Sequence, residues 1–290
     1  MNALRRPFPL GPRGQLLVAF AVAGALSYWF LGLSMSGLLP APGAADQLGA
    51  FFGAALHPAV DYEASWVPEG APPFLANVGR AMIETLLLAA AAMSFAILLS
   101  IPLALWTSTS FWQRQSRGAA GIARKSKLGR ALLPFMRLVI ACMRSVHELL
   151  WAVVLLAAFG DHHFLAVLAI AIPFAGTLAK VYSEMLDEAP TDSSEALAEA
   201  GLAPGFCFAL GRLPRALPDM TAYTFYRFEC AVRSSAVMGF FGFPTIGYYL
   251  KLSYENLYYR EVWTWLYALI VLVLVFEAWS AKLRRRWVAR

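Results

Sequence analysis

Charge is what this chain lacks most. Only 14% of its 290 residues are Asp, Glu, Lys or Arg, 59% are hydrophobic, and the mean hydropathy is +0.58. Soluble domains carry about 25% charged residues. So little charge cannot cover a water-facing surface, which excludes an ordinary soluble enzyme, a disordered chain and a collagen-like repeat. Cysteine is scarce too. Cys142, Cys207 and Cys230 are far apart, with no Cys-x-x-Cys and no Cys/His cluster. That spacing argues against a disulfide framework or a zinc site and makes each cysteine a small apolar filler. The sequence has no Gly-x-x-x-x-Gly-Lys-[Ser/Thr] loop to cradle nucleotide phosphates. It has no Ser/His/Asp or His-Glu-x-x-His arrangement to carry catalysis. Asp161-His162-His163 is a poor metal site, because adjacent side chains point different ways and no further ligand is near in sequence.

What the chain does have is long apolar runs. A bilayer core of about 30 Å takes about 20 apolar residues as a helix. Six stretches qualify. Residues 16–39 and 86–105 carry no charge. Residues 138–159 contain Arg144, His147 and Glu148, and 164–182 contain Lys180. Residues 220–243 contain Arg227, Glu229 and Arg233, and 262–281 contain Glu277. The runs are continuous and do not alternate, which predicts helices rather than barrel strands. The first run exceeds a signal-peptide core of about 7–15 residues, so it reads as a retained span. Trp29, Trp66, Trp106, Trp112, Trp263 and Trp265 fall mostly near span ends, as aromatic belts do.

The net charge of +6 acquires meaning from position. Arg5, Arg6 and Arg13 precede the first span. Arg114, Arg117, Arg124, Lys125, Lys127 and Arg130 follow the second. Lys282, Arg284, Arg285, Arg286 and Arg290 close the chain, whereas residues 40–79 contain no Lys or Arg. Basic loops stay inside, so both termini and the second loop are expected in the cytoplasm. The basic residues then set topology, and nucleic acid is not an expected partner.

The loop 183–219 falls on the cytoplasmic side by parity, yet it is rather acidic, with only Arg212 and Arg215 as positives. Pro190, Thr191, Asp192, Ser193 and Ser194 end the preceding span and supply helix caps. Residues 196–200 favour helix, Gly201 stops it, and Pro204-Gly205 turn the chain. Residues 206–213 form a second short amphipathic piece, ended by Pro214 and Pro218. The expectation is a helix–turn–helix on the cytoplasmic face.

Within this loop Glu195, Ala196, Gly201, Leu213 and Pro214 match a known spacing: Glu-Ala-Ala, three residues, Gly, nine residues, Ile, one residue, Leu-Pro. Leu197 replaces the second Ala and Gly211 replaces the Ile. The loop resembles that of the permeases of bacterial binding-protein-dependent ABC importers. Residues 144–152, Arg-Ser-Val-His-Glu-Leu-Leu-Trp-Ala, resemble the Arg-x-x-Pro-Glu-Leu-x-Trp-Ala pattern of phosphonate-uptake permeases, with His147 in the place of Pro. Tyr226-Arg227-Phe228-Glu229, then Val232-Arg233 and Gly239, resemble their fifth span. Residues 242–247, Gly-Phe-Pro-Thr-Ile-Gly, stand where Gly-x-Gly-Gly-Ile-Gly is usual.

The resemblance implies an all-α membrane protein with six transmembrane helices and the type I ABC importer permease fold. A cytoplasmic coupling helix is expected between spans four and five. It further implies a first segment 1–80, a permease core 81–282 with the coupling loop 187–216, and a basic tail 283–290. The implied partners are a second copy of the chain, two ATP-binding subunits, a periplasmic or lipid-anchored substrate-binding protein, and the lipid bilayer of the inner membrane. ATP and Mg belong to the partner ATPase, and no cofactor is expected on this chain. Glu195, Ala196, Gly201, Leu213 and Pro214 are the expected ATPase-coupling residues.

Ionisable residues inside spans are costly and call for a reason. Arg144 and Glu148, Glu229 and Arg233, and Lys180 and Glu184 are each four apart, on one helical face. One reading makes them three internal ion pairs. The other sets the positives Arg144, Lys180, Arg227 and Arg233 against Glu148, Glu184 and Glu229. One positive charge is then left over, suited to a small phosphonate or phosphite anion in transit. His147 is either a proton site or a helix-packing residue. The rival classes are a secondary ion-coupled anion transporter without an ATPase partner, and a membrane-embedded enzyme or assembly factor. The first would use intramembrane Glu and His residues as proton carriers but would be expected to show repeats or broken helices. The second lacks residues for chemistry.

Overall fold

The computed structural model describes residues 11–34, 37, 43–115, 127–160 and 162–288, without the side chains of 113–115, 127–130, 204, 284 and 286–288. Asp161 and the basic residues Arg5, Arg6, Arg117, Arg124, Lys125 and Arg290 lie outside the described residues. All regular structure among the described residues is helical. The chain divides into two units, Met1–Gly53 and Ala54–Arg290. The first holds α1 (Pro12–Phe30) and most of α2 (Ala44–Ala55). The second holds α3 (Phe74–Thr107), α4 (Thr109–Gln115), α5 (Lys127–Ser145), α6 (Glu148–Phe159), α7 (His163–Glu188) and α8 (Asp192–Glu199). The chain continues with a single turn α9 (Pro204–Phe206), a π-helical segment Cys207–Arg212, α10 (Leu213–Val237), a 3-10 turn Met238–Phe241, α11 (Ile246–Glu255) and α12 (Tyr259–Val288).

Three helices, α3, α7 and α12, are each long and apolar enough to cross a membrane. The bent pair α5 and α6 makes a fourth span if taken together. The most apolar stretch of α7 is 67% buried within the protein, against 28% for α3 and 17% for α12, so α7 is the central helix. Its most extensive packing is against α3. Ala89, Ala92 and Ala96 of α3 and Ala169, Ala171, Ala175 and Ala179 of α7 are all completely buried. In lipid, apolar area alone does not drive helices together, so small residues that allow close approach do that work. Gly176 shows the limit. A β-carbon there would lie 2.9 Å from Cβ of Met143 and 3.2 Å from the Ile140 carbonyl oxygen, where α5 crosses α7.

Two sequence expectations change. The run 138–159 is not one helix. It breaks at Val146-His147, and its halves meet at 90°. His147 caps α6, its Nδ1 accepting from the Leu149 amide at 3.3 Å. The resemblance places proline at this same position, and a capping histidine starts a helix there as proline can. The second change concerns Pro214 and Pro218, which do not end a helix. Pro214 sits in the first turn of α10, where its missing N–H costs nothing, and Pro218 is accommodated inside.

Buried polar groups fix the α3–α10–α11 junction. The Thr85 hydroxyl donates to the Ala81 carbonyl at 2.7 Å and accepts from the Ile246 amide at 3.0 Å. Ser235 donates to the Thr85 carbonyl at 2.8 Å. A β-carbon on Gly247 would stand 2.1 Å from the Ala236 carbonyl oxygen, and one on Gly239 would stand 2.1 Å from the Tyr248 nitrogen. The glycines of this stretch therefore serve a close backbone crossing. On the far side of α11, Trp265 is buried against Phe74 and stacks on Tyr249 at 5.0 Å. It is a core residue and not part of an aromatic belt. The segment before α3 is strapped to the start of α12. The Ala59 amide donates to the Arg260 carbonyl at 3.2 Å, the Glu63 amide to Glu261 at 2.7 Å, and Thr264 to the Ala59 carbonyl at 2.7 Å.

Candidate translocation path and coupling loop

Most of the charged residues read from the spans lie on α10 and at the α5–α6 break, with Lys180 and Glu184 on α7 and Glu277 on α12. Arg227 lies over the Phe174 ring at 4.7 Å, a contact that suits a planar cation on an aromatic face. Its Nε is buried and has no hydrogen-bond partner among the described residues. Tyr223, one turn away, lies within electrostatic reach of both Arg227 and Arg144. Glu148 accepts from the Ser234 hydroxyl at 2.7 Å and lies 3.5 Å from His147. Arg233 is exposed and donates to the Cys230 sulfur at 3.7 Å, while Glu229 is buried.

Of the three ion pairs expected from spacing, one forms: Lys180 with Glu184. Among the described residues, Arg144 with Glu148 and Glu229 with Arg233 do not form ion pairs. The 90° break falls between Arg144 and Glu148 and removes the shared helical face. Glu148 instead turns to α10. Glu229 and Arg233 do share a helix, but Glu229 faces the core whereas Arg233 faces outward.

At the other end of α7 the chain turns into the loop. Thr191 begins α8, with the amides of Ser194 and Glu195 both donating to its carbonyl at 2.9 Å. Asp192 and Glu195 stand in the first turn, favourable to the helix dipole. Gly201, at φ 86, supplies the left-handed stop. Glu195, Ala196, Gly201 and Pro214 are exposed, and Leu213 is half-buried. Ser194 is fully buried, because α8 lies directly on the π segment. A β-carbon on Gly211 would come within 2.6 Å of Ser194 Cα. On the outer side of that segment Phe206 and Leu210 are 63% and 60% exposed.

Residues 118–287 match the family of binding-protein-dependent transport system inner membrane components. The chain belongs to that family. The permease is 26% identical over 282 residues to the phosphite transport system permease protein PtxC of Stutzerimonas stutzeri, covering 94% of this chain and 89% of that one. It is 27% identical over 217 residues to the phosphate-import permease protein PhnE of Mycolicibacterium smegmatis, covering 74% of this chain and 38% of that one. Among solved structures it is similar to an amino acid ABC transporter with histidines, at TM-score 0.59 and 17% identity, covering 74% of this chain and 99% of that one. It is equally similar in fold to an inward-facing methionine ABC transporter, at TM-score 0.59 and 20% identity, covering 74% of this chain and 98% of that one.

With the family in hand, one of the permease's departures from the loop pattern, Gly211, has a local cause. Isoleucine at 211 would not fit while α8 rests on the π segment, so the Gly211 contact replaces a side-chain contact with a backbone one. Sequence reading missed three residues of this region. Asp187 figures in the sequence only as the first residue of the loop 187–216, although its carboxylate organises the turn after α3. Phe206 and Leu210 read as one amphipathic piece, and their exposure follows from the π segment, which shifts the helical face by about one residue.

Proposed function

We propose that this permease subunit moves a small phosphorus oxyanion, of the phosphonate or phosphite class, through a homodimer driven by two ATPase subunits and fed by an external binding protein. In this reading six spans cross the inner membrane with both termini in the cytoplasm. α8 is the coupling helix. Glu195, Ala196, Gly201, Leu213 and Pro214 present and hold it, and Phe206 and Leu210 add an apolar edge for the ATPase groove. Closure of the ATPases around ATP and Mg pulls α8, and the spans pass from inward-open to outward-open as the binding protein releases the anion. The division into 1–80, the core 81–282 with loop 187–216, and the tail 283–290 belongs to the same proposal.

Arg227, Arg233, Arg144 and Lys180 are assigned to the path, with Glu148 and Glu229 limiting the positive field so that an anion is attracted but released. The observation that carries the substrate class is Arg227. It is a half-buried guanidinium with a free donor, on a helix whose relatives include a phosphite transport permease. The test is ATP hydrolysis by the reconstituted complex with phosphite, phosphonate and phosphate, each presented with the binding protein. Stimulation by one of these and loss of uptake in Arg233→Gln with normal assembly support the reading. Full uptake without any ATPase partner refutes it in favour of an ion-coupled carrier.

A further inference from the structure

One carboxylate at the end of α7 gathers more bonds than local structure requires. Asp187 Oδ1 accepts from Ser108 Oγ at 2.6 Å, from the Ser110 amide at 3.0 Å and from Ser110 Oγ at 2.5 Å. Its Oδ2 accepts from the Thr109 amide at 3.0 Å and from Thr109 Oγ1 at 2.6 Å. These three successive residues are the hinge between α3 and α4. The short α4 already has a cap of its own, since the Phe111 amide donates to Ser108 Oγ at 3.3 Å. Asp187 completes that cap from another helix, taking the Thr109 and Ser110 amides of the first turn, and binds three hydroxyls besides. What it adds is a bond between elements far apart in the chain.

The same residue faces the loop. Its backbone carbonyl accepts from Arg212 Nη2 at 2.5 Å, and Arg212 is buried at the last position of the π segment. Beside it Phe111 of α4 meets Phe208 of the π segment edge to face at 5.6 Å. On the other side of that segment lies α8, joined through the Gly211–Ser194 contact and by Arg215 donating to Ser193 Oγ at 2.9 Å. A continuous line of short polar and close-packed contacts thus runs from α8 through Arg212 to Asp187, and from there into both α7 and the end of α3. Arg137 of α5 donates to the Thr107 carbonyl at 3.3 Å and adds that helix to the end of the line.

We propose that Asp187 and Arg212 are positioning residues that transmit the movement of α8 to α3 and α7, so that ATP hydrolysis is converted into opening of the spans. The proposal rests on the coupling role given to α8 above. Its physical basis is that α8 rests on the segment that Arg212 ties to Asp187, and that a shift of α7 against the start of α4 would strand five donors around a half-buried carboxylate. Loss of partners in a shielded site is costly, so the cluster moves as one body. Without the carboxylate, α8 can still engage the ATPase and move, but the movement is absorbed at the α3–α4 hinge.

The experiment is phosphite uptake and ATP hydrolysis measured together in proteoliposomes holding the whole complex and its binding protein. Asp187→Ala is expected to lower phosphite moved per ATP hydrolysed by about tenfold, within the usual span of coupling effects between sites, while assembly and hydrolysis persist. Asp187→Asn keeps the shape but loses acceptors and falls between. Arg212→Ala follows Asp187→Ala, with Arg212→Lys restoring part of the ratio. Should Asp187→Ala fail to insert, Thr109→Val removes one donor at nearly constant volume and is read by the same ratio. An unchanged ratio, or uptake and hydrolysis falling in parallel with complex stability, overturns the proposal and leaves Asp187 a structural residue. A wild-type complex that takes up phosphite without hydrolysing ATP instead overturns the reading of the chain as an ATP-driven permease, and this proposal with it.

Discussion

Two polar clusters of this permease are built on opposite terms. Around Asp187 every carboxylate oxygen is engaged, by donors held in one turn of chain. Around Arg227 the guanidinium has a ring for company and an unpartnered Nε. The first arrangement fixes geometry, because each displacement strands several groups at once. The second leaves capacity. A charge held by packing but not fully hydrogen-bonded can accept a passing anion, and it destabilises the fold slightly while it waits. In the proposed mechanism the two are complementary: a stiff end to receive force and an unsaturated interior to receive cargo.

The sharpest way to break the contrast is at the stiff end. Gly211→Ile would drive a side chain into the Ser194 backbone, separating α8 from the π segment at a cost of about 3 kcal/mol, the upper part of the range for overpacking. Thermal unfolding of the detergent-purified complex should drop, and the ATPase subunits should no longer co-purify. Retention of both would show that α8 is not seated through this contact. Arg227→Gln tests the unsaturated side and should do the reverse. Uptake falls by about tenfold with the loss of one charge-assisted contact to the anion, while thermal stability holds or rises. A stability loss with unchanged uptake would make Arg227 a packing residue.

Smaller effects sharpen the boundary between the clusters. Ser234→Ala removes the donor to Glu148 across the α6–α10 contact and should cost about 1 to 2 kcal/mol, as for a hydrogen bond to a charged group. The measurement is again the unfolding temperature. Lys180→Gln breaks the Lys180–Glu184 pair, both members of which are 43% exposed or more. The change should be only about 0.3 to 0.5 kcal/mol in stability; a large loss of uptake would show Lys180 acting on the anion, and unchanged uptake would leave it only the partner of Glu184.

Much of this was legible in the residues. The runs that became α3, α7 and α12 declare themselves by length and apolarity, because a bilayer imposes both. The loop declares itself through Pro190, Gly201 and the Glu195–Pro214 spacing, each a local constraint on the backbone. The bend at Val146-His147 was not legible as a bend, since Arg144 and Glu148 on either side of it suit an ion pair on one straight helix equally well. Spacing of four also misled at Arg144 and Glu148, because the rule presumes one straight helix. At Glu229 and Arg233 it gave one helix but could not say which side meets the core.

The sequence by itself determined that the chain is a bundle of lipid-facing helices, where its basic ends lie along it, and that one polar loop interrupts it with a recognisable pattern. These follow from composition and from backbone limits at proline and glycine, which act within a few residues. Only the tertiary structure decided which glycines are crossings, which charges are saturated and which are spare, and that Asp187 joins Ser108, 79 residues before it, to Arg212, 25 residues after it. Those properties depend on which donors and which backbones meet in space. In a protein whose apolar surfaces are all alike, such meetings are set by close packing and by the few polar groups buried with it.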